Sequence, residues 1–297
     1  MKSGFIGLVG RPNVGKSTLL NAIVGHKVAI TSDKPQTTRN IIQGIRTDED
    51  SQMVFVDTPG IHKPKNRLGK VLNKQAYFTL NDVDVILLLV DITSPLGKGD
   101  MFVLDVLKNV KVPVILVINK IDKLPREEIL KKIDEYKDLY NFDEIVPISA
   151  YKKDNVDILI SILKNKLTDN IKYYDEDMYT DKPVNFMVSE LIREKILDLT
   201  HEEVPHSVSV VVEQMDYNRE SVNIQATIVV DRENLKKILV GKNGSMIKEI
   251  GTRARQDIEP LLNKNVYLEL FVKVIPRWRD REKFLNEIGF KEFNFDK

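Results

Sequence analysis

Cysteine is absent from this 297-residue sequence, which excludes disulfides, thiolate zinc sites and cysteine nucleophiles together and fits a reducing compartment. Tryptophan occurs once, and glycine and proline are sparse at 14 and 12, so neither a collagen-like repeat nor a long disordered linker is encoded. No apolar run approaches membrane-spanning length; residues 112–118 reach about a third of what a bilayer crossing needs. The opening run at residues 5–9 stops at Gly10-Arg11-Pro12, before the apolar core of a signal peptide could form, so a soluble chain is expected. Charge of one sign is lacking too. With 45 Lys+Arg against 44 Asp+Glu the net charge is +1, which excludes bulk electrostatic coating of nucleic acid but says nothing of a local basic face.

What is present divides into two rhythms. Up to about residue 170, short β-branched runs (5–9, 41–46, 52–56, 84–90, 112–118 and 144–148) alternate with helical patterns such as 16–24, 126–139 and 156–167. Several runs are apolar throughout, as strands buried on both faces of a mostly parallel sheet must be, so a doubly wound α/β domain is predicted for 1–170. Residues 171–181 are charged and aromatic without period and are assigned as a linker. From 182 to 297 the predicted order is helix (184–199), two strands (207–214 and 221–230), two helices around Gly241 to Gly244, a strand (265–272) and a last helix (280–288). That order indicates an α+β domain.

The first strand-to-helix turn carries Gly10, Arg11, Pro12, Asn13, Val14, Gly15, Lys16 and Ser17, followed by Thr18. This is a full P-loop pattern. Its backbone N–H groups wrap phosphates at a helix N-terminus, Lys16 reaches the β and γ phosphates, and Ser17 supplies a hydroxyl to Mg²⁺. Asp57, Thr58, Pro59 and Gly60 follow the third strand run, where an aspartate serves Mg²⁺ and a glycine N–H serves the γ-phosphate. Base choice is read from Asn119, Lys120 and Asp122. A carboxylate at Asp122 accepts from guanine N1–H and N2–H₂, a donor pair adenine lacks, while Ser149 and Ala150 bring a backbone N–H towards O6. Between the first helix and second strand run, Pro35, Gln36, Thr37, Thr38 and Arg39 form a polar segment. Thr38, with Thr37 as the second choice, is expected to add a hydroxyl to Mg²⁺ when GTP is bound.

In the second half, Gly241, Lys242, Asn243, Gly244, Ser245, Ile247 and Lys248 place a Gly-x-x-Gly turn between two amphipathic helices, which admits a sugar–phosphate backbone. Ile238, Ile247, Ile250 and Ala254 are expected to floor a surface for single-stranded bases. Charge agrees with this placement: residues 181–231 carry net −6 and residues 232–283 net +6, with the turn inside the positive block. Arg277, Trp278, Arg279 and Arg281 extend that block, Trp278 serving either as a stacking ring or as packing for the last helix. His62 reads as a surface histidine rather than a general base.

On these elements the chain resembles a translation-factor-class GTPase of the Era family across both domains: a P-loop GTPase domain followed by a type II KH domain. The resemblance implies GTP/GDP and Mg²⁺ as ligands, and 16S ribosomal RNA near its 3′ end as partner. It also implies a role in 30S subunit maturation in the cytoplasm, as a monomer, with a peripheral contact at the cytoplasmic face of the membrane left open. Ile61 stands where Ras-like proteins have a water-orienting glutamine. In related GTPases a P-loop asparagine binds K⁺ in place of an arginine finger, so Asn13 is the K⁺ candidate and Arg39 its rival. Two other readings stay open at this stage: a constitutive RNA-binding assembly factor with residual hydrolysis, and a GTPase acting on a protein or membrane with the second domain as adaptor.

Overall fold

The computed structural model describes every residue except Pro35, Gln36, His62, Lys63, Lys65 and residues 291–297. The expectations placed on Pro35, Gln36 and His62 therefore lie outside the described residues. The chain separates into two compact units, one comprising 1–65 and 72–181, the other 66–71 and 182–297.

Unit 1 begins with β1 (Lys2–Gly10), α1 (Lys16–Val24), β2 (Ile42–Asp48) and β3 (Ser51–Asp57). Next come α2 (Arg67–Thr79), of which the part from Leu72 falls in unit 1, β4 (Val85–Asp91), α3 (Lys98–Leu107) and β5 (Val114–Asn119), then α4 (Arg126–Tyr136), β6 (Glu144–Pro147) and α5 (Val156–Lys166). The six strands form one sheet in the order β2-β3-β1-β4-β5-β6, parallel except for the β2–β3 hairpin. Strands β3 and β5 are buried along their whole length, around the apolar stretches Met53–Val56 and Val114–Ile118. From β1 the chain goes to β2 and β3 on one side, then crosses to β4, β5 and β6 on the other, so the C-terminal end of β1 is the switch point where such sheets bind ligands. Residues 171–181 are laid on unit 1: Gln52 accepts from the N–H groups of Tyr173 and Tyr174, and Tyr179 O accepts from Ile45 N–H on β2.

Unit 2 runs α6 (Val184–Leu199), the one-turn α7 (Val204–Ser207), β7 (Val208–Tyr217), β8 (Ser221–Val230), α8 (Glu233–Val240), α9 (Ser245–Leu262), β9 (Asn265–Val274) and α10 (Glu282–Glu287). β7 pairs antiparallel with β8, and β9 pairs parallel with β8 because the α8–α9 crossover returns the chain in the same direction. Helices α6, α8 and α9 cover one sheet face, and Val188, Ile192, Ile224, Ile228, Leu239, Ile250, Ala254 and Ile258 make the core. Burial of Ile250 and Ala254 corrects the expectation that they floor a base-stacking surface, since a fully enclosed side chain has no face to offer.

Candidate functional site

The P-loop follows β1 directly and bends around a cleft of about 710 Å³ lined by Asn13, Gly15, Lys16, Ser17, Thr18, Thr37, Thr38, Gly60 and Lys120. Lys16 lies along the loop and donates to Arg11 O at 2.9 Å and Gly10 O at 3.2 Å. Burial lowers its ammonium pKa to about 8, against an opposing pull from the Asp57 charge. Lys16 is thereby held among carbonyls that phosphate oxygens would replace.

Ser17, Thr38 and Asp57 converge. Ser17 Oγ donates to Asp57 Oδ2 at 2.7 Å and lies 2.8 Å from Thr38 Oγ1, which is 3.4 Å from the same carboxylate oxygen. Thr37 turns away and donates to Lys34 O at 2.6 Å, so of the two candidate threonines it is Thr38 that reaches the cluster. The other oxygen, Asp57 Oδ1, is buried with no hydrogen-bond partner among the described residues. Burial raises the Asp57 carboxyl above its ordinary range, opposed by Lys16 and by the hydrogen bonds of Ser17 and Thr38. A carboxylate oxygen waiting in a buried place beside two hydroxyls fits a hard divalent cation. Mg²⁺ held by Ser17, Thr38 and Asp57 would supply positive charge against phosphate oxygens.

Gly60 explains its own residue type: a Cβ there would stand 2.8 Å from Pro12 N and 2.9 Å from Pro12 Cα. Only glycine lets the segment after β3 come this close to the P-loop. Thr58 donates to Leu8 O at 2.8 Å, tying that segment to β1. Ile61 is 2 % exposed and belongs to the unit 1 core. Arg39 is also buried, at 2 %. Asn13, at φ 66°, donates from Nδ2 to Asp33 O at 2.5 Å.

The base-recognition residues are locked together. Asn119 Nδ2 donates to Val14 O at 2.8 Å, and Asn119 Oδ1 accepts from Lys120 N–H at 2.8 Å and Ala150 N–H at 3.0 Å. The Ala150 amide expected to face O6 is therefore engaged by Asn119. Ser149 Oγ donates to Asp122 Oδ1 at 2.6 Å and accepts from Lys152 N–H at 3.0 Å, which aims the carboxylate. Sequence reasoning missed Asn21, whose carboxamide bonds Ala29 O at 2.7 Å and the N–H groups of Val28 and Ala29 at 3.0 Å, fixing the root of the threonine segment. It also missed Tyr151, an exposed ring at the rim of the cleft.

In unit 2 the Gly-x-x-Gly turn has Gly241 at φ +73° and Gly244 at φ +77°, with Asn243 between them at φ 52°. These three positive-φ residues turn the chain within four positions and open α9 at Ser245. Lys242, Asn243, Ser245 and Lys248 are exposed around it. Beside the turn lies a groove of about 300 Å³ lined by Ile247, Lys248, Gly251, Thr252, Arg255, Leu268 and Leu270. Its far wall comes from β9, which the sequence reading did not assign to the site; the alternation of Leu268 and Leu270 with exposed neighbours was the available signal. Trp278 is 0 % exposed, donates from Nε1 to Ser207 O at 2.9 Å and meets Phe284 edge-on, so it packs rather than stacks. Arg279 pairs with Asp231.

Comparison with known proteins places this geometry. Residues 5–120 match the family described as 50S ribosome-binding GTPase, and residues 203–279 match the KH domain family. Era from Aquifex aeolicus bound to GDP·AlF4⁻ is 42 % identical, covers 98 % of this chain and 100 % of its own, and superposes with a TM-score of 0.95. Era in complex with MgGDPNP and nucleotides 1506–1542 of 16S ribosomal RNA matches with the same identity, coverage and TM-score. With that identity sustained through both the P-loop unit and the KH unit, the chain belongs to the Era family of GTPases.

Proposed function

We propose that this chain is a GTP-hydrolysing switch whose KH unit holds single-stranded 16S ribosomal RNA near its 3′ end during 30S subunit assembly in the cytoplasm. The observation that carries the reading is the convergence of Ser17, Thr38 and Asp57 in one chain with a Gly-x-x-Gly turn beside a groove that combines Ile247, Leu268 and Leu270 with the cations of Lys248 and Arg255. The RNA-bound relative holds MgGDPNP and its RNA at once.

The chemistry follows from the residues. Lys16 and the P-loop N–H groups bind and orient the triphosphate. Thr38 Oγ1 stands 2.8 Å from Ser17 Oγ, where it would serve Mg²⁺ and the γ-phosphate together, and loss of that phosphate would weaken the hold on its segment. Ile61 contributes no polar atom to the attacking water, so intrinsic hydrolysis is slow and charge must come from elsewhere. Asn13 Oδ1 would supply an oxygen donor for K⁺ in that role. Equal turnover in KCl and NaCl would remove K⁺ from the mechanism.

Binding of an RNA carrying the 16S 3′ end, measured with GTP analogue and with GDP, tests the switch. Tighter binding with the GTP analogue is expected. Equal affinity, together with turnover unaffected by RNA, would instead describe a constitutive RNA-binding assembly factor.

A further inference from the structure

The tip of Lys120 is gripped from two sides. Its Nζ donates to Asn13 O in the P-loop at 2.9 Å and pairs with Asp91 Oδ2 at 2.6 Å. Asp91 ends β4, and the sheet register sets it directly beside Asn119, the residue before Lys120. The carboxylate is itself held: its Oδ1 accepts from Thr93 N–H at 2.9 Å and Thr93 Oγ1 at 2.7 Å. The Asp91 side chain is 11 % exposed and that of Lys120 33 %, so the pair is partly shielded from water. Burial works to raise the Asp91 pKa, but the hydrogen bonds from Lys120 and Thr93 outweigh it and hold the carboxyl below its ordinary range. Asn13 and Lys120 both stand at positive φ, 66° and 68°, where a non-glycine residue stays only when its surroundings hold it.

We propose that Asp91 is a positioning residue of the nucleotide site: it fixes Lys120 against the Asn13 carbonyl, so that the lysine stem is a ready-made wall for the base and the P-loop keeps its curve before nucleotide arrives. A lysine at this position without a carboxylate partner would sample many rotamers and lose them on binding, which weakens affinity. Asp91 acts through Lys120 and need not touch the ligand. The inference rests on reading this cleft as a guanine-nucleotide site.

The test is a double-mutant cycle on the full chain, reading the dissociation rate of a fluorescent GDP. Asp91→Asn and Lys120→Met should each speed dissociation by about tenfold, and the double variant should be no faster than the faster single one. Multiplying effects, or no effect of Asp91→Asn, would overturn the proposal. Should Asp91→Asn not fold, Thr93→Val removes one clamp on the carboxylate. It should speed dissociation about threefold in the parent chain and not at all beside Lys120→Met. The same acceleration in both backgrounds would overturn the proposal. Failure of the parent chain to bind the fluorescent GDP at all would instead remove the nucleotide reading, which keeps the two failures apart.

Discussion

Arg11, the second residue of the P-loop, forms an ion pair with Asp100 in the first turn of α3, Nη1 to Oδ2 at 2.9 Å. Asp100 also accepts from Gly97 N–H at 3.0 Å and from the Tyr136 hydroxyl. Burial, then the Asp100 charge, raises the Tyr136 phenol well above its ordinary value, so it stays a donor. Gly99 completes the arrangement, because a Cβ there would stand 2.8 Å from Arg11 Nε.

Asp100 is 8 % exposed and Arg11 39 %, so the two partners respond differently to truncation. Arg11→Ala leaves a buried carboxylate with its two remaining donors and should cost about 1–2 kcal/mol. Asp100→Ala also strands the Tyr136 hydroxyl and should cost about 2–3 kcal/mol. Urea unfolding of nucleotide-free protein measures both; equal and negligible costs would mean the pair is incidental.

Lys16 makes nucleotide binding pH-dependent. In the folded chain its pKa is about 8 against an ordinary 10.5, so between those values the folded site has released a proton that the unfolded chain keeps. Stability from this group therefore rises with pH across that window. Bound phosphates restore the ammonium. Calorimetric titration with GDP at about pH 9, in buffers of different ionisation enthalpy, should show uptake approaching one proton, and near none at about pH 7. Zero uptake at the higher pH would mean that Lys16 stays charged in the free site.

Thr38 and Thr37 are separated by geometry and should be separated by kinetics. Thr38→Ala removes a hydroxyl from the Ser17–Asp57 cluster and should lower GTP turnover in Mg²⁺ by at least about tenfold. Thr37→Ala removes the hydroxyl that bonds Lys34 O, outside the Ser17–Asp57 cluster, and should change turnover by less than about threefold. Reversed sensitivities would exchange their roles.

The KH turn gives a prediction independent of the nucleotide. Gly244→Asp puts a carboxylate and an L side chain at φ +77°, and should lower affinity for single-stranded RNA by at least about tenfold while GDP binding stays within about twofold. Arg255→Ala, at the groove, should reduce the salt dependence of RNA binding by about one counterion. Unchanged RNA affinity in the glycine variant would favour a protein or membrane target for unit 2.

Much of the fold was legible because the patterns were uninterrupted. The helix read at 184–199 and the strand at 221–230 coincide with α6 and β8. Helices α2 and α3 were not named: α3 is preceded by Gly97, which has no side chain to accept from the N–H groups of its first turn, and α2 follows a segment of mixed polarity. The apolar periodicity of Ile250 and Ala254 was read as ligand surface, although the same stripe on α9 is what packs the sheet.

The sequence by itself determined the chemistry that lies on continuous chain. A loop that wraps phosphates, a strand end that presents a carboxylate and a turn built from two glycines are local constructions, so their residues appear side by side. Tertiary structure decided everything that depends on register and burial. It chose Thr38 over Thr37, turned Ile61 and Trp278 into core, and brought β9 to the groove. It also set Asp91 beside Lys120 and Arg11 beside Asp100, pairs 29 and 89 positions apart. No periodicity records such pairs, because parallel strands meet through crossovers whose length leaves no mark on the residues that end up touching.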